Sequence, residues 1–394
     1  MPAETARQFE ALEASAQTLL GVFTRAGFEG VSPAIIQPAG VFLDVVGEKL
    51  RARTYVFSDP DGDELCMRPD LTVPTCRLHL ERHPDASVHA KYSYNGPAFR
   101  FQPQGSGRAH TREFRQTGIE SFGEEDREHA EAEIVATLVS GLEAAGLSSY
   151  TMRFGDLGIL RAILRAVDMP SRWRQRLMHL FWHPPAFKAE LNRLTLEPGA
   201  ASAQIPKALR DAIDPDDPEA AEAAVAGYLE ENGIETVGLR TVAEITDNLL
   251  GRVADARSEP LSAKTAQLIA SYVAIVAPAR ASARRIRELA TLMGVNVEDA
   301  LGACERRLEL MARSGVDIDR AEFSADFGRA LEYYTGFVFE VVTPELGRRS
   351  PVAGGGRYDS LLKAVGAPQN VPAVGAAVHT NRLLPALNGN GGAS

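Results

Sequence analysis

Hydrophobic positions along this chain change their period several times. From Ala6 to Ala26 the apolar residues Phe9, Leu12, Ala16, Leu19 and Phe23 recur at helical spacing, and Gly27 stands where such a helix stops, so an amphipathic opening helix is predicted. Val31 to Phe42 is apolar but punctuated by Pro33, Pro38 and Gly40, and reads as extended chain with turns. Thr54-Tyr-Val-Phe and Leu65-Cys-Met-Arg flank Asp59-Pro-Asp-Gly-Asp, the pattern of two strands joined by a turn. His89 to Arg100 and Thr117 to Phe122 have strand composition, and the polar stretch Gln102 to Arg112 between them predicts a long hairpin loop. Helical spacing returns from Glu125 to Ala145 through Ile134, Leu138 and Leu142, and Gly146 ends it.

The middle, roughly Leu160 to Arg313, is rich in Ala, Leu, Arg and Glu with breaks at Pro184-Pro185, Pro198, Pro215, Pro218 and Pro260, and reads as a mostly helical insertion. Strand signals resume at Phe323 to Asp326, at Phe337 to Val342 and at Val371 to Val378; the pair Phe327-Gly328 also looks strand-like. The fold class expected is therefore α+β, with the β-rich part split around a helical block. The expected organisation is a core over 1–160, the insertion over 161–315, a second core segment over 316–386 and a flexible tail over 387–394.

Length supports this division, since 394 residues exceed the usual size of one compact core. A formal charge of -10 disfavours a broad surface for nucleic acid or anionic membrane, while leaving room for a local basic pocket. Cys66, Cys76 and Cys304 are scattered without CxxC spacing, which implies neither a disulfide framework nor a zinc site and suits a reducing cytoplasm. The first residues lack a secretory pattern, and no apolar run reaches membrane-spanning length, so a cytoplasmic protein without membrane attachment is expected.

One run concentrates chemistry. Arg329-Ala-Leu-Glu-Tyr-Tyr-Thr-Gly sets a guanidinium, a carboxylate and the phenols of Tyr333 and Tyr334 beside a glycine, a set suited to a small zwitterion with a ring. Arg68-Pro-Asp-Leu-Thr follows a strand and offers Asp70 and Thr72 to an ammonium group, or forms a surface turn. Gln116 and Glu120, four apart in a strand, share one face. Gly354-Gly-Gly-Arg-Tyr-Asp lacks the lysine and spacing of a phosphate loop, and reads as a tight turn allowing close backbone approach. His179 and His183 have i, i+4 spacing, but neither the glutamate of H-E-x-x-H nor a third ligand accompanies them; packing and capping are expected, and no metal or cofactor is called for.

The order of these segments resembles the catalytic domain of histidyl-tRNA synthetase, a class II synthetase fold with an antiparallel sheet flanked by helices. Ala98-Phe-Arg100 through Thr117-Gly-Ile-Glu-Ser-Phe-Gly resembles the second class II motif, and Arg329-Ala-Leu-Glu-Tyr-Tyr is similar to the family's Arg-Gly-Leu-Asp-Tyr-Tyr. Ala353-Gly-Gly-Gly-Arg-Tyr-Asp resembles the stretch before the third motif, and Val374 to Arg382 occupies that motif's place. The resemblance implies a histidine site in which Asp70, Thr72 and Gln116 meet the ammonium, Glu120 and Tyr334 the imidazole, and Arg329 the carboxylate, with Arg100 and Tyr333 in the same lining.

Departures from the synthetase pattern point further. Gln102 stands where the second motif has a glutamate; His379 replaces a glycine close to the nucleotide, and Asn381 replaces a glutamate. At the first motif the expected proline falls at Ala34, with Pro33 just before it. Since 394 minus 382 leaves 12 residues after Arg382, no anticodon-binding domain and no tRNA partner are expected. A kept amino-acid pocket with an altered ATP site is similar to the paralogous regulatory subunits of short-form ATP phosphoribosyltransferase. That resemblance implies a non-catalytic chain mediating histidine feedback, paired with a short catalytic subunit and self-associated as a dimer within a hetero-octamer. The alternative it leaves is a truncated ligase that forms histidyl-adenylate for a small acceptor.

Overall fold

The period-two segments become strands of two sheets. The computed structural model describes residues 4–43, 48–86, 88–103, 111–196, 205–215, 217–234, 241–328 and 333–389. In chain order the strands are β1 (Glu29–Gly30), β2 (Ile36–Pro38), β3 (Tyr55–Ser58), β4 (Glu64–Met67), β5 (Ala90–Phe99), β6 (Glu113–Phe122), β7 (Thr151–Asp156), β8 (Val276–Pro278), β9 (Ala321–Ser324), β10 (Phe337–Val342), β11 (Ala353–Arg357) and β12 (Ala373–His379). Among the described residues one sheet runs β1-β5-β6-β12-β11-β10-β7-β9-β8, and β2-β4-β3 form another. Pairing is antiparallel except between β1 and β5 and between β7 and β9.

Helices cover the large sheet where its strands present apolar side chains. The opening helix Ala6–Arg25 starts with a capping box between Thr5 and Gln8 and stops at Gly27, whose φ of 89° lies in the left-handed region. Leu12, Ala16, Leu19 and Phe23 are buried along one stripe, but Phe9 is 47% exposed and lies under the Arg115 guanidinium. Helix Arg127–Ala144 packs beside it so closely that a Cβ at Gly141 would lie 3.0 Å from Leu19 Cδ2. Its N-terminus is held by Asp126, which accepts from the His129 backbone N–H and from Arg306.

A buried ionic network ties the sheet to these helices. Glu131, on helix Arg127–Ala144, accepts from Arg307 and from Arg357 of β11. Arg307, on helix Glu298–Arg313, also bonds Asp156 of β7 at 2.8 Å and lies 4.5 Å from the Phe337 ring. Burial pushes the Arg307 guanidinium down, but the carboxylates of Glu131 and Asp156 outweigh it, so the group stays charged.

Several local expectations are corrected. The stretch read as extended contains helix Ala39–Leu43, with Pro38 just before it, where a fixed φ is tolerated, and Ala39 and Phe42 fully buried. Helix Thr72–Arg82 was not foreseen; Pro74 sits in its first turn, where the missing N–H costs no bond. The strand read over 323–326 is β9, and Phe327 lies beyond it, its N–H bonded to Ser324 O and its own carbonyl crowding Gly155. Ala353–Arg357 is a central strand rather than a tight turn. His179 lies on helix Ser171–Leu180, whereas His183 caps the next helix, Pro184–Leu194, so the pair does not share a helical face.

Contacts divide the chain into two compact units, Met1–Ala162 with Val273–Thr291 and Asn296–Ser394, and Ile163–Tyr272 with Leu292–Val295. The stretch 161–315 is largely helical, but β8 lies within it, and contacts return the chain to the first unit at Val273. The second unit holds an apolar cluster of Ile205, Leu209, Ile213, Ala221, Val225 and Val253. No helix among the described residues is long and apolar enough to cross a membrane. Cys66, Cys76 and Cys304 are buried free thiols.

Candidate functional site

One face of the large sheet is cleared by glycines and lined with polar groups. Antiparallel register places Tyr92, Glu120, Gly375 and Gly356 in one row across β5, β6, β12 and β11. The next row holds Tyr94, Gly118 and Ala377, and the one beyond it Gly96, Gln116 and His379. A Cβ at Gly375 would lie 1.6 Å from Glu120 Oε2, one at Gly118 2.6 Å from the Tyr94 hydroxyl, and one at Gly356 2.9 Å from the Tyr334 ring. These glycines therefore make room for side chains that neighbouring strands project over them.

Glu120 is the centre of this face and is 0% exposed. Its Oε1 accepts from Thr72 Oγ1 at 2.8 Å and from Tyr94 Oη at 2.9 Å, and its Oε2 accepts from the Tyr358 hydroxyl. Burial pushes its pKa up to about 7, with the three hydroxyl donors opposing that rise and Asp70 adding to it. Thr72 arrives on the first turn of helix Thr72–Arg82. Asp70 lies just before that helix's N-cap, Leu71; its Oδ1 accepts from the Val73 N–H at 3.2 Å.

Two buried acceptors here have no partner among the described residues. Asp70 Oδ2 and Gln116 Oε1 receive no hydrogen bond, although Asp70 is 2% and Gln116 5% exposed. Buried polar atoms are nearly always satisfied, so each of these marks a place for a donor that the described residues do not supply. Burial raises the Asp70 pKa; Arg100 is the foremost group opposing that rise. Arg100 is itself held by a 2.7 Å bond from Nε to Pro69 O.

Tyr333, Tyr334 and Tyr358 form an aromatic cluster, with ring centroids 4.9 Å apart for the first two and 5.7 Å for Tyr333 and Tyr358. Burial raises the Tyr333 phenol's pKa, with Tyr334, Asp70 and Glu120 adding to it and Thr72 opposing, which places Tyr333 beside the same carboxylates. Asp70, Thr72, Glu120 and Tyr333 thus lie together, Tyr334 packs against Tyr333 and Arg100 faces Asp70, while Gln116 shares the face of β6 with Glu120 two rows along. Arg329 and the three residues after it lie outside the described residues. Sequence reading missed Tyr94 and Tyr358, the other two donors to Glu120; Tyr94 follows Tyr92 at strand spacing, but only the register sets it over Gly118.

Beyond Gln116 the face continues into a separate cleft of about 110 Å³ lined by Arg53, Arg100, Gln102, Thr111, Phe114, His379, Asn381 and Arg382. The His379 ring lies 5.2 Å from that of Phe114, and the Arg100 guanidinium 5.1 Å from it. Asn381 Oδ1 accepts from the Arg115 N–H at 2.6 Å.

Comparison with known proteins agrees with this architecture. A histidyl-tRNA synthetase family model matches residues 4–252 and 243–383. The chain is 33% identical over 374 residues to an ATP phosphoribosyltransferase regulatory subunit of Mesorhizobium japonicum, covering 94% of this chain and 96% of that one. It is 32% identical to the protein of the same name from Chelativorans sp., covering 89% and 91%. Among solved structures, an ATP phosphoribosyltransferase regulatory subunit/histidyl-tRNA synthetase from Bacillus halodurans superposes with a TM-score of 0.69 at 20% identity, over 98% of this chain and 82% of that one. A histidine–tRNA ligase subunit from Alicyclobacillus acidocaldarius gives 0.61 at 21%, over 99% and 96%.

Sheet, glycine-lined face and helical segments together define a class II aminoacyl-tRNA synthetase-like protein of the α+β class. Within that class, the chain belongs to the histidyl-tRNA synthetase-like family of ATP phosphoribosyltransferase regulatory subunits.

Proposed function

We propose that this regulatory, non-catalytic subunit of ATP phosphoribosyltransferase senses free histidine in the pocket around Glu120, and so mediates feedback on the first step of histidine biosynthesis. The observation that carries this reading is the pair of buried acceptors without partners, Asp70 Oδ2 and Gln116 Oε1. An α-ammonium satisfies both with charge-assisted bonds. The imidazole then lies toward Glu120 and the Tyr333 and Tyr334 rings, and Arg329 supplies the fork for the carboxylate.

The partner is a separate short catalytic subunit, and the assembly is a hetero-octamer in which regulatory chains pair as dimers in the cytoplasm, without tRNA. Histidine acts by binding one arrangement of that assembly more tightly than the other, a coupling of about 1 to 3 kcal/mol in typical allosteric systems. Calorimetric titration of the complex with histidine tests the reading, and saturable binding that tracks inhibition is the expected result. A complex inhibited by histidine with this pocket empty would place the sensor elsewhere.

A second reading, a truncated ligase, is favoured only by Arg100 and Arg382 lining one cleft beside Phe114. Histidine-dependent exchange of pyrophosphate into ATP by the lone chain would establish it.

A further inference from the structure

We propose that bound histidine and Glu120 hold one proton between them, so that above neutral pH binding draws a proton from solution and the sensor reads pH together with histidine. The inference rests on the histidine reading of this pocket and adds the form in which the ligand is held.

Acceptor geometry sets how the ring meets Glu120. A carboxylate offers roughly four lone-pair sites. Two on Oε1 accept from Thr72 and Tyr94 and one on Oε2 accepts from Tyr358, which leaves an acceptor position on Oε2 for a ring N–H. The three hydroxyls come from helix Thr72–Arg82, from β5 and from the residue after β11, so the carboxylate is held from three sides.

Charge around Glu120 is one-sided. Among the described residues, the titratable groups acting on it are acids: Asp70, the Cys76 thiol, Tyr94, Tyr333 and Tyr358. Arg68 and Arg100 act on Asp70 instead, and Arg329 is assigned above to the ligand's carboxylate. Tyr92, the cross-strand partner of Glu120, bonds the His79 ring, which burial keeps neutral by pushing its pKa down to about 4. The hydroxyls bonded to Glu120 are uncharged donors, and burial accordingly pushes its pKa up to about 7.

An imidazolium supplies the cation that this carboxylate lacks. The pair carries no net charge whether its one proton sits on the ring nitrogen or on Oε2, whereas a second proton, or none, leaves a buried charge uncompensated. The bound pair therefore keeps a single proton over a wider pH range than either group does alone. At about pH 8 a carboxyl titrating near 7 holds roughly a tenth of a proton, and free imidazole, titrating at roughly 6.5, holds less. Binding then takes most of one proton from the solvent into the ring N–H···O bond.

The test is calorimetric titration of the complex with the catalytic subunit at about pH 8, in two buffers of different ionisation enthalpy. The ligands are histidine and 1,2,4-triazolylalanine, whose ring keeps an N–H but is far less basic. Both carry the same α-ammonium, so its titration cancels in the difference. Histidine should take up at least about half a proton more than the analogue, and its affinity should fall roughly threefold to tenfold more steeply per pH unit. Should the analogue fail to bind, Glu120→Gln serves instead: its histidine affinity should lose that extra slope, and a slope equal to the parent's counts against the proposal. Histidine binding with no more uptake than the analogue overturns this proposal and leaves the sensing reading standing. A complex that binds no histidine removes both.

Discussion

The carboxylate of Glu120 rests on Gly375: a methyl group on residue 375 would come within 1.6 Å of Oε2. The two residues are cross-strand partners in β6 and β12, so neither moves away without disturbing the centre of the sheet.

Gly375→Ala should therefore be disruptive beyond its size. Overpacking a rigid interior costs about 1 to 3 kcal/mol, and here the displaced group also loses its bonds from Thr72, Tyr94 and Tyr358. Denaturant unfolding is expected to show a loss of at least that order, accompanied by loss of histidine binding in calorimetry. A variant as stable as the parent would refute the packing described for this face.

Glu120 sets a pH dependence whose sign follows from its raised pKa. Between the ordinary value of 4.5 and about 7 the folded chain holds a proton that the unfolded chain has released, so this group's contribution to stability falls as pH rises through that window. Its full span is about 3 kcal/mol, from 1.36 kcal/mol per pKa unit. Glu120→Gln, which keeps an acceptor for Thr72 and Tyr94, should flatten the slope of unfolding free energy against pH between 4.5 and 7. An unchanged slope would mean that Glu120 titrates normally.

Asp70→Asn separates binding from folding. The variant keeps an oxygen for the Val73 N–H while removing a charge that burial disfavours, so the free chain should be as stable as the parent or more so. Histidine affinity should fall tenfold or more, because the ammonium loses a charge-assisted partner worth about 1.5 to 3 kcal/mol. Thermal melts with and without histidine measure both effects. Equal ligand-induced shifts in parent and variant would remove Asp70 from the site.

Arg307→Met tests the ionic network. It leaves Asp156 without that buried cation, and Glu131 with Arg357 alone, a change that typically costs 3 to 5 kcal/mol. The expected outcome is a lowered unfolding midpoint.

Arg329→Ala should relieve feedback while leaving the complex with the catalytic subunit intact, as read from activity assays with histidine and from co-purification. Inhibition that survives the change would show that the carboxylate fork lies elsewhere.

Part of this site is legible in the chain itself. Alternation alone puts Gln116 and Glu120 on one face of a strand, and the glycine run 354–356 announces close approach, because only a residue without Cβ permits it. Other parts depend on partners distant in sequence. Asp70 and Thr72 suited a surface turn equally well until helix Thr72–Arg82 covered the sheet and buried them. Tyr358 looks like any tyrosine after a glycine run until β11 and β12 pair beside β6 and bring its hydroxyl to Glu120. The histidines at 179 and 183 gave the opposite lesson, since a break at Phe181 and Trp182 separates two positions that spacing had placed on one helix.

Sequence by itself determined the sequence-local properties: helix stripes, strand alternation, turn glycines and the kinds of groups available to a ligand. These follow from backbone geometry and side-chain chemistry over a few residues. Only the tertiary structure decided which polar atoms are satisfied. Glu120 gathers donors from residues 72, 94 and 358, whereas Asp70 Oδ2 and Gln116 Oε1 are left without any among the described residues. Hydrogen bonding and desolvation act through space, and the register of a sheet joining strands more than two hundred residues apart sets which groups meet.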